Sequence, residues 1–196
     1  MVDKIKKFLS NDFIKQTAND KIKIDLKESK EICDIVFENG NYIEIKDAVA
    51  ESVGKRVLTD KLAGNTGDGI VLNKLNGKLN LIIIEYKKNI GNNNFGKACN
   101  QLNSTYIKIA MLLNVLFKIE KINVIYVIVG KILDRQQSKV ISAKMNKPNL
   151  FNKITRSKST IIKEIPFNFN IPINDIFKKT NVNFIHKECN SNIYIH

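Results

Sequence analysis

The 196-residue sequence has no tryptophan and contains only two histidines, three cysteines and three prolines. His186 and His196 both lie near the C-terminus and give histidine-based metal or acid–base chemistry little material. Cys33, Cys99 and Cys189 are widely spaced, odd in number and free of any CxxC. That pattern argues against a disulfide framework and a zinc site, and for a reducing compartment. Apolar runs such as Leu81–Ile84 and Val124–Val129 are far too short to span a bilayer. The opening MVDKIKKFLS lacks a secretory hydrophobic region. The expectation is therefore a cytoplasmic protein with no membrane partner. Acidic residues are also scarce, 19 against 32 basic ones, for a net charge of +13. Such an excess predicts attraction to a polyanion: DNA, RNA or an anionic membrane surface. Only Arg56, Arg135 and Arg156 among the 32 basic residues are arginines, and AT-biased codon usage also produces a chain rich in Lys, Asn and Ile.

What is present is ordinary for a folded protein: 43% hydrophobic and 26% charged residues. The length suits one well-cored domain over 1–196. Residues 3–18 read as an amphipathic helix with Ile5, Phe8, Leu9, Phe13 and Ile14 on one side. Residues 21–26 alternate as a half-exposed strand. Residues 33–46 form a hairpin candidate around Asn39-Gly40. Asp47 can cap a helix of about fifteen residues that turns Ala50, Val53 and Val57 inward and stops at Gly64. A second hairpin follows over 67–88. Then come a Gly- and Asn-rich loop (89–96), a helix from about 96 to 118, and a buried strand, 122–130. Ala98, Leu102, Tyr106, Ile109, Leu113 and Leu116 make the helix's apolar stripe. Lys97, Gln101, Ser104 and Lys108 make a polar one. Residues 131–160 are basic and weakly periodic, and short strand-like pieces (IIKEI, NVNFI, NIYI) follow. An α/β fold is expected, a mixed sheet with helices packed on it.

The second hairpin carries the chemistry. Asn76-Gly77 is the strongest short hairpin signal, because a two-residue type I′ turn needs φ > 0 at both positions. With that turn, Leu75 faces Lys78, Leu72 faces Leu81, Ile70 faces Ile83 and Asp68 faces Glu85. Directly opposed Cβ atoms lie roughly 4.5–5.5 Å apart. Lys87 projects from the same face as Glu85. Opposed carboxylates repel unless a cation sits between them, and Mg²⁺ with hard oxygen ligands suits that place. The first hairpin repeats the spacing with Asp34, Glu44 and Lys46. Its register, however, places Asp34 opposite Ile45, on the other face from Glu44 and Lys46.

Asp68, then Glu85-x-Lys87 ending an apolar strand, then a helix and a further apolar strand, resembles the PD-(D/E)XK nuclease superfamily over about residues 47–130. Type II restriction endonucleases share that restriction-endonuclease-like fold. Two departures stand out: Gly67 replaces the proline, and the strand before the aspartate strand is absent or very short. The resemblance implies a Mg²⁺-dependent DNA endonuclease whose metal is held by Asp68, Glu85 and the Tyr86 carbonyl. Lys87 would act on the attacking water, and products would carry 3′-hydroxyl and 5′-phosphate ends. Glu51 matches a helix glutamate that touches the metal or its water in many relatives, and is equally an ordinary solvated residue. Gln101 matches a catalytic or DNA-contacting glutamine of some branches, and equally a solvated helix face. Gly67 and Gly69 admit close approach of another backbone, which suits a phosphate or a tight turn. Lys88, Lys97, Arg135, Lys139, Lys144 and Arg156 are candidate phosphate contacts, and 131–160 a candidate DNA-recognition segment. A type II restriction endonuclease acting as a homodimer is the first reading. A Holliday-junction or repair nuclease is the near alternative, and a non-catalytic nucleic-acid-binding domain the distant one.

Overall fold

The computed structural model describes residues 5, 7, 9–16, 21–28, 31–38, 40–57, 65–75, 77–117, 122–132, 161–165 and 182–194. Ten strands are described. They are β1 (Ile14–Gln16), β2 (Lys21–Glu28), β3 (Glu31–Glu38), β4 (Tyr42–Ile45), β5 (Gly69–Leu75), β6 (Lys78–Ile90), β7 (Ile122–Ile132), β8 (Ile161–Ile165), β9 (Val182–Lys187) and β10 (Ser191–Tyr194). Two α-helices whose bounds are described accompany them, α1 (Asp47–Val57) and α2 (Asn92–Phe117). Seven strands form one sheet in the order β1-β4-β5-β6-β7-β9-β8, and three form a second, β10-β3-β2. The large sheet is mixed: β6, β7 and β9 run parallel, and the other pairs are antiparallel.

The strong strands follow from residue type. Both faces of β6 and β7 are covered, so their sequences are nearly continuous Ile, Leu and Val rather than alternating. Leu81, Ile83, Val124, Tyr126 and Ile128 pack with Ala98, Leu102, Tyr106 and Ile109 of α2. Ile82, Ile84, Ile125, Val127 and Val129 pack instead with Ile22, Ile24, Cys33, Ile35 and Phe37 of the small sheet. Helices, large sheet and small sheet thus stack as three layers. A parallel β6–β7 pair needs a crossover connection, and α2 supplies it. At the hairpin end an amide ladder crosses the strands. Asn123 Nδ2 donates to Asn80 Oδ1 (2.7 Å), Asn80 Nδ2 to Asn73 Oδ1 (3.1 Å), and Asn73 Nδ2 to the Asn41 carbonyl (3.2 Å). These bonds satisfy buried amides and pin the register of β5, β6 and β7.

Several expectations are corrected. Of the helix expected over 3–18, the described start is helical (Ile5 and Lys7, with the Leu9 N–H donating to the Ile5 carbonyl at 2.9 Å), but it gives way to a 3-10 turn at Asn11–Phe13 and to β1, which pairs with β4 and leaves Phe13 42% exposed. Residues 33–46 are not a hairpin: β3 pairs with β2 and β10, and β4 crosses into the other sheet. The 89–96 loop is largely absent, because β6 runs on to Ile90 and α2 begins at Asn92, where Phe95, Ala98 and Cys99 are buried. Cys33 and Cys189 form a disulfide between β3 and the turn before β10, so the cysteine pattern no longer argues for a reducing compartment. Gly64 and 133–160 lie outside the described residues. Among the described residues no helix is long and apolar enough to cross a membrane.

Candidate active site

The second hairpin has the expected register: Leu75↔Lys78, Leu72↔Leu81 and Ile70↔Ile83, with Gly77 at φ 77°. The ladder ends at Gly69↔Ile84, one step before Asp68 and Glu85. Ile70 and Leu72 belong to the helix-side core, as do Leu81 and Ile83. Strand alternation therefore sends Glu85 to that same face, and the Lys87 ammonium meets it there. Asp68 is half-buried, its Oδ2 accepting the Tyr86 N–H at 2.8 Å. Glu85 is 0% exposed, and its Oε1 lies 2.5 Å from Lys87 Nζ, whose side chain is 13% exposed.

Lys87 owes its position to an irregularity. β6 and β7 pair in step to Tyr86↔Val129, then resume at Asn89↔Lys131, so Lys87 and Lys88 bulge out. Opposite them Gly130 has φ 148°, and a Cβ there would overlap the Lys87 carbonyl oxygen. Bulges re-aim side chains and collect beside active sites. His186 Nε2 donates to the Gly130 carbonyl at 2.8 Å and braces the bulge from β9. Lys88, a candidate phosphate contact, forms an ion pair with Glu31 of the small sheet.

Helix α2 holds the loop that carries Asp68. The Gly67 N–H donates to Thr105 Oγ1 at 2.7 Å, Gln101 Nε2 reaches the Thr66 carbonyl at 3.4 Å, and Lys108 Nζ donates to Thr66 Oγ1 at 3.2 Å. Thr105 Oγ1 in turn donates to the Gln101 carbonyl at 2.8 Å. Lys108 is 1% exposed. Burial pushes its ammonium below the usual lysine range, and the negative charge of Glu51 on α1 opposes that shift. Gly67 has no room for a side chain: a Cβ would come 2.9 Å from the Ile84 carbonyl and 3.5 Å from Glu85 Oε2. Its neighbours are thus β6 itself, and those of Gly69 are Ile84 and Ile24, so the space these glycines leave is filled by the fold.

The structure brings Asp68, Glu85, Lys87, the Tyr86 backbone and Gln101 to one end of the sheet, whereas Glu51 is exposed on α1 and reaches Lys108 only through its charge. Lys97 is exposed on the first turns of α2. Arg135, Lys139, Lys144 and Arg156 lie outside the described residues. The rival acids separate completely. Asp34 pairs with Lys23 in the small sheet at 2.8 Å, while Glu44 lies 3.6 Å from Lys15. Thr66, Thr105 and Lys108 were not singled out from sequence as site residues. The signal for Lys108 was its place in α2's polar stripe, seven residues after Gln101. Among the described residues no group of three or more His, Cys, Asp and Glu side chains gathers as a metal site. Asp68, Glu85 and the Tyr86 carbonyl supply oxygen donors of the kind Mg²⁺ takes, one or two carboxylates with water and phosphate oxygens completing the shell. No protein-family model, curated protein or solved structure matches this chain.

Proposed function

We propose that this chain is a Mg²⁺-dependent endonuclease of the PD-(D/E)XK type that hydrolyses DNA phosphodiester bonds, as a type II restriction endonuclease. The observation that carries the reading is the meeting of Asp68, Glu85 and Lys87 at the point where the β5–β6 ladder ends. The order of a restriction-endonuclease-like core, antiparallel hairpin, crossover helix and parallel strand, agrees with β5-β6-α2-β7.

Asp68, Glu85 and the Tyr86 carbonyl would hold the ion. Bound Mg²⁺ supplies an acidified water and offsets charge developing on the scissile phosphate. The chain's own part is positional. The Tyr86 N–H fixes Asp68 Oδ2, and Lys87 Nζ orients Glu85 Oε1. Lys87, a compact cation with three donors, would hold the attacking water and a phosphate oxygen. Gln101 and Thr105 keep the 66–67 backbone fixed. The net charge of +13 supports DNA as the partner through phosphate contacts. A homodimer belongs to this reading, since cutting both strands of a palindrome needs two sites about a two-fold axis. A cytoplasmic setting, where such DNA lies, belongs to it too.

Plasmid DNA incubated with the protein and Mg²⁺ should yield discrete bands. Asp68→Asn keeps an oxygen for the Tyr86 N–H but removes the charge. Both it and Lys87→Ala should cut at least about 10²-fold more slowly, while DNA binding in Ca²⁺ persists and Glu44→Ala stays active. Full cutting by both site variants would refute the assignment. Cutting of four-way junctions without linear duplex would favour the junction nuclease, and binding without any cutting the non-catalytic domain.

A further inference from the structure

The Cys33–Cys189 disulfide has no task in the chemistry proposed above, yet it stands on the chain that steadies the Lys87 bulge. β9 belongs to the large sheet and β10 to the small one, and only Glu188, Cys189 and Asn190 separate them. The disulfide fastens that crossing to β3. Three residues before Cys189, His186 Nε2 donates to the Gly130 carbonyl at 2.8 Å. Gly130 lies against the Lys87 carbonyl, which a Cβ there would overlap, and it faces the break in β6–β7 pairing. A line of bonds and contacts thus runs from Cys33 through Cys189, His186 and Gly130 to the Lys87 backbone. The crossing is otherwise held by hydrogen bonds that compete with water. The Asp34 N–H donates to Asn190 Oδ1 at 3.3 Å, and Ser191 Oγ to the Glu188 carbonyl at 2.6 Å, both among exposed groups. The two sulfurs differ in access. Cys33 is 0% exposed, whereas Cys189 is half-buried at the turn, where a thiolate from solvent reaches it. Cys99 is buried in the core on the helix side of the large sheet, away from the pair.

We propose that this disulfide is a redox-sensitive brace: formed, it holds the β9–β10 crossing and the Lys87 bulge, and opened by a dithiol, it releases both. One thiolate of the dithiol attacks Cys189 Sγ, the bond to Cys33 breaks, and Cys33 leaves as a thiolate that takes a proton. The second thiolate attacks the mixed disulfide, frees Cys189 as a thiol and closes the dithiol into its own disulfide. The protein gains two electrons and two protons, and the dithiol loses them. In reducing compartments the disulfides that occur are mostly transient, catalytic or redox-sensing. The disulfide and His186 act by positioning, and neither touches the substrate. The effect on cutting rests on the role given to Lys87 in the endonuclease reading; the brace itself does not.

Hydrogen exchange read by mass spectrometry on the full chain, oxidised and after dithiothreitol, tests the brace without DNA. Reduction should speed exchange over 84–90 and 126–132 about 10-fold. Cys99→Ser should respond as wild type does. Cys189→Ser should exchange at the reduced rate with or without dithiothreitol. His186→Phe, which has no donor for Gly130, should exchange fast over 84–90 in both states, and His186→Gln, which keeps one, should restore the difference. Equal exchange over 84–90 in oxidised and reduced wild type, or a native disulfide that dithiothreitol does not open, would overturn the inference. Where a variant does not fold, the wild-type comparison decides alone. If the oxidised protein cuts DNA, reduction should slow the cutting and reoxidation restore it, and equal rates would overturn the inference as well. A protein that cuts in neither state refutes the endonuclease reading and leaves the brace to the exchange measurement.

Discussion

Three glycine-to-alanine substitutions test the bulge that aims Lys87. At Gly130, φ 148° is a conformation L side chains rarely adopt, and the added methyl would overlap the Lys87 carbonyl oxygen. Strained backbone costs about 1–3 kcal/mol, and overpacking a filled site adds about 1–3 kcal/mol. Gly130→Ala should therefore lose roughly 2–6 kcal/mol of stability. Gly77 has φ 77° but nothing within 4 Å, so Gly77→Ala carries only the conformational cost, about 1–2 kcal/mol. Gly96 lies inside α2 with open space around it and an ordinary φ, so Gly96→Ala should gain about 0.5–1 kcal/mol from helix propensity. One substitution type thus yields three outcomes, and the order is fixed by geometry alone. Urea unfolding followed by circular dichroism reads the series, provided the slope stays constant. DNA cleavage supplies a second reading, because Gly130→Ala can fold only by opening the bulge and displacing Lys87. A Gly130→Ala protein within about 0.5 kcal/mol of wild type would refute the overlap and, with it, the placement of Lys87.

Two further predictions concern β9 and the turn after it. Burial holds the His186 imidazole below its ordinary 6.5, against the smaller upward pull of the Gly130 carbonyl. A lowered folded value means the unfolded chain takes the proton first. The stability from the neutral ring is thus complete above pH 6.5 and is lost as pH falls through the folded value. The unfolding free energy of wild type minus His186→Gln should therefore shrink on acidification from about pH 8 to about pH 5.5, and a difference independent of pH would refute it. In guanidinium chloride without reductant, a thiol reagent should titrate only Cys99, and after reduction Cys33 and Cys189 as well. Three thiols before reduction would disprove the bond. In the native protein Cys99 should stay unreactive, because burial pushes its thiol up to about 12.

The parts legible in the sequence were those fixed by neighbours in the chain. Asn76-Gly77 and period-2 alternation gave the register of β5 and β6, because a two-residue turn leaves strand pairing no freedom. The run 122–130 gave β7, since only a strand covered on both faces is apolar throughout. The failures were long-range. Asn39-Gly40 carries the same turn signature, yet β3 finds better partners in β2 and in β10, whose paired residues lie 156 positions further along the chain (Ser191 with Ile35). The Asn and Gly of 89–96 are poor helix formers, and burial of Phe95 and Ala98 outweighs that preference. Cys33 and Cys189 are 156 residues apart, so only the packing of β3 against the β9–β10 turn joins them. Within the site, Glu85 follows from alternation. The bulge and the Lys108–Thr66 contact do not, because each depends on how α2 and β7 dock on β6.

The location of the site follows from where the ladder stops. A strand leaving its ladder exposes backbone groups that must find other partners. β5 begins at Gly69, and β6–β7 pairing breaks after Tyr86, so both strands become irregular within one residue of the acids. The Tyr86 N–H is answered by Asp68 Oδ2, and one hydrogen bond both satisfies β6 and fixes a carboxylate. The Gly67 N–H is answered by Thr105 Oγ1, which ties the same loop to α2. Deep in the ladder, Ile82 and Ile83 have no backbone group to spare, and a carboxylate there would meet only hydrocarbon. At its end, acids and lysines can be buried because main chain and helix polar groups are present to meet them. The fold thus tolerates buried charge at one place along β6, and there the sequence sets Glu85 and Lys87 on either side of Tyr86, whose N–H Asp68 accepts.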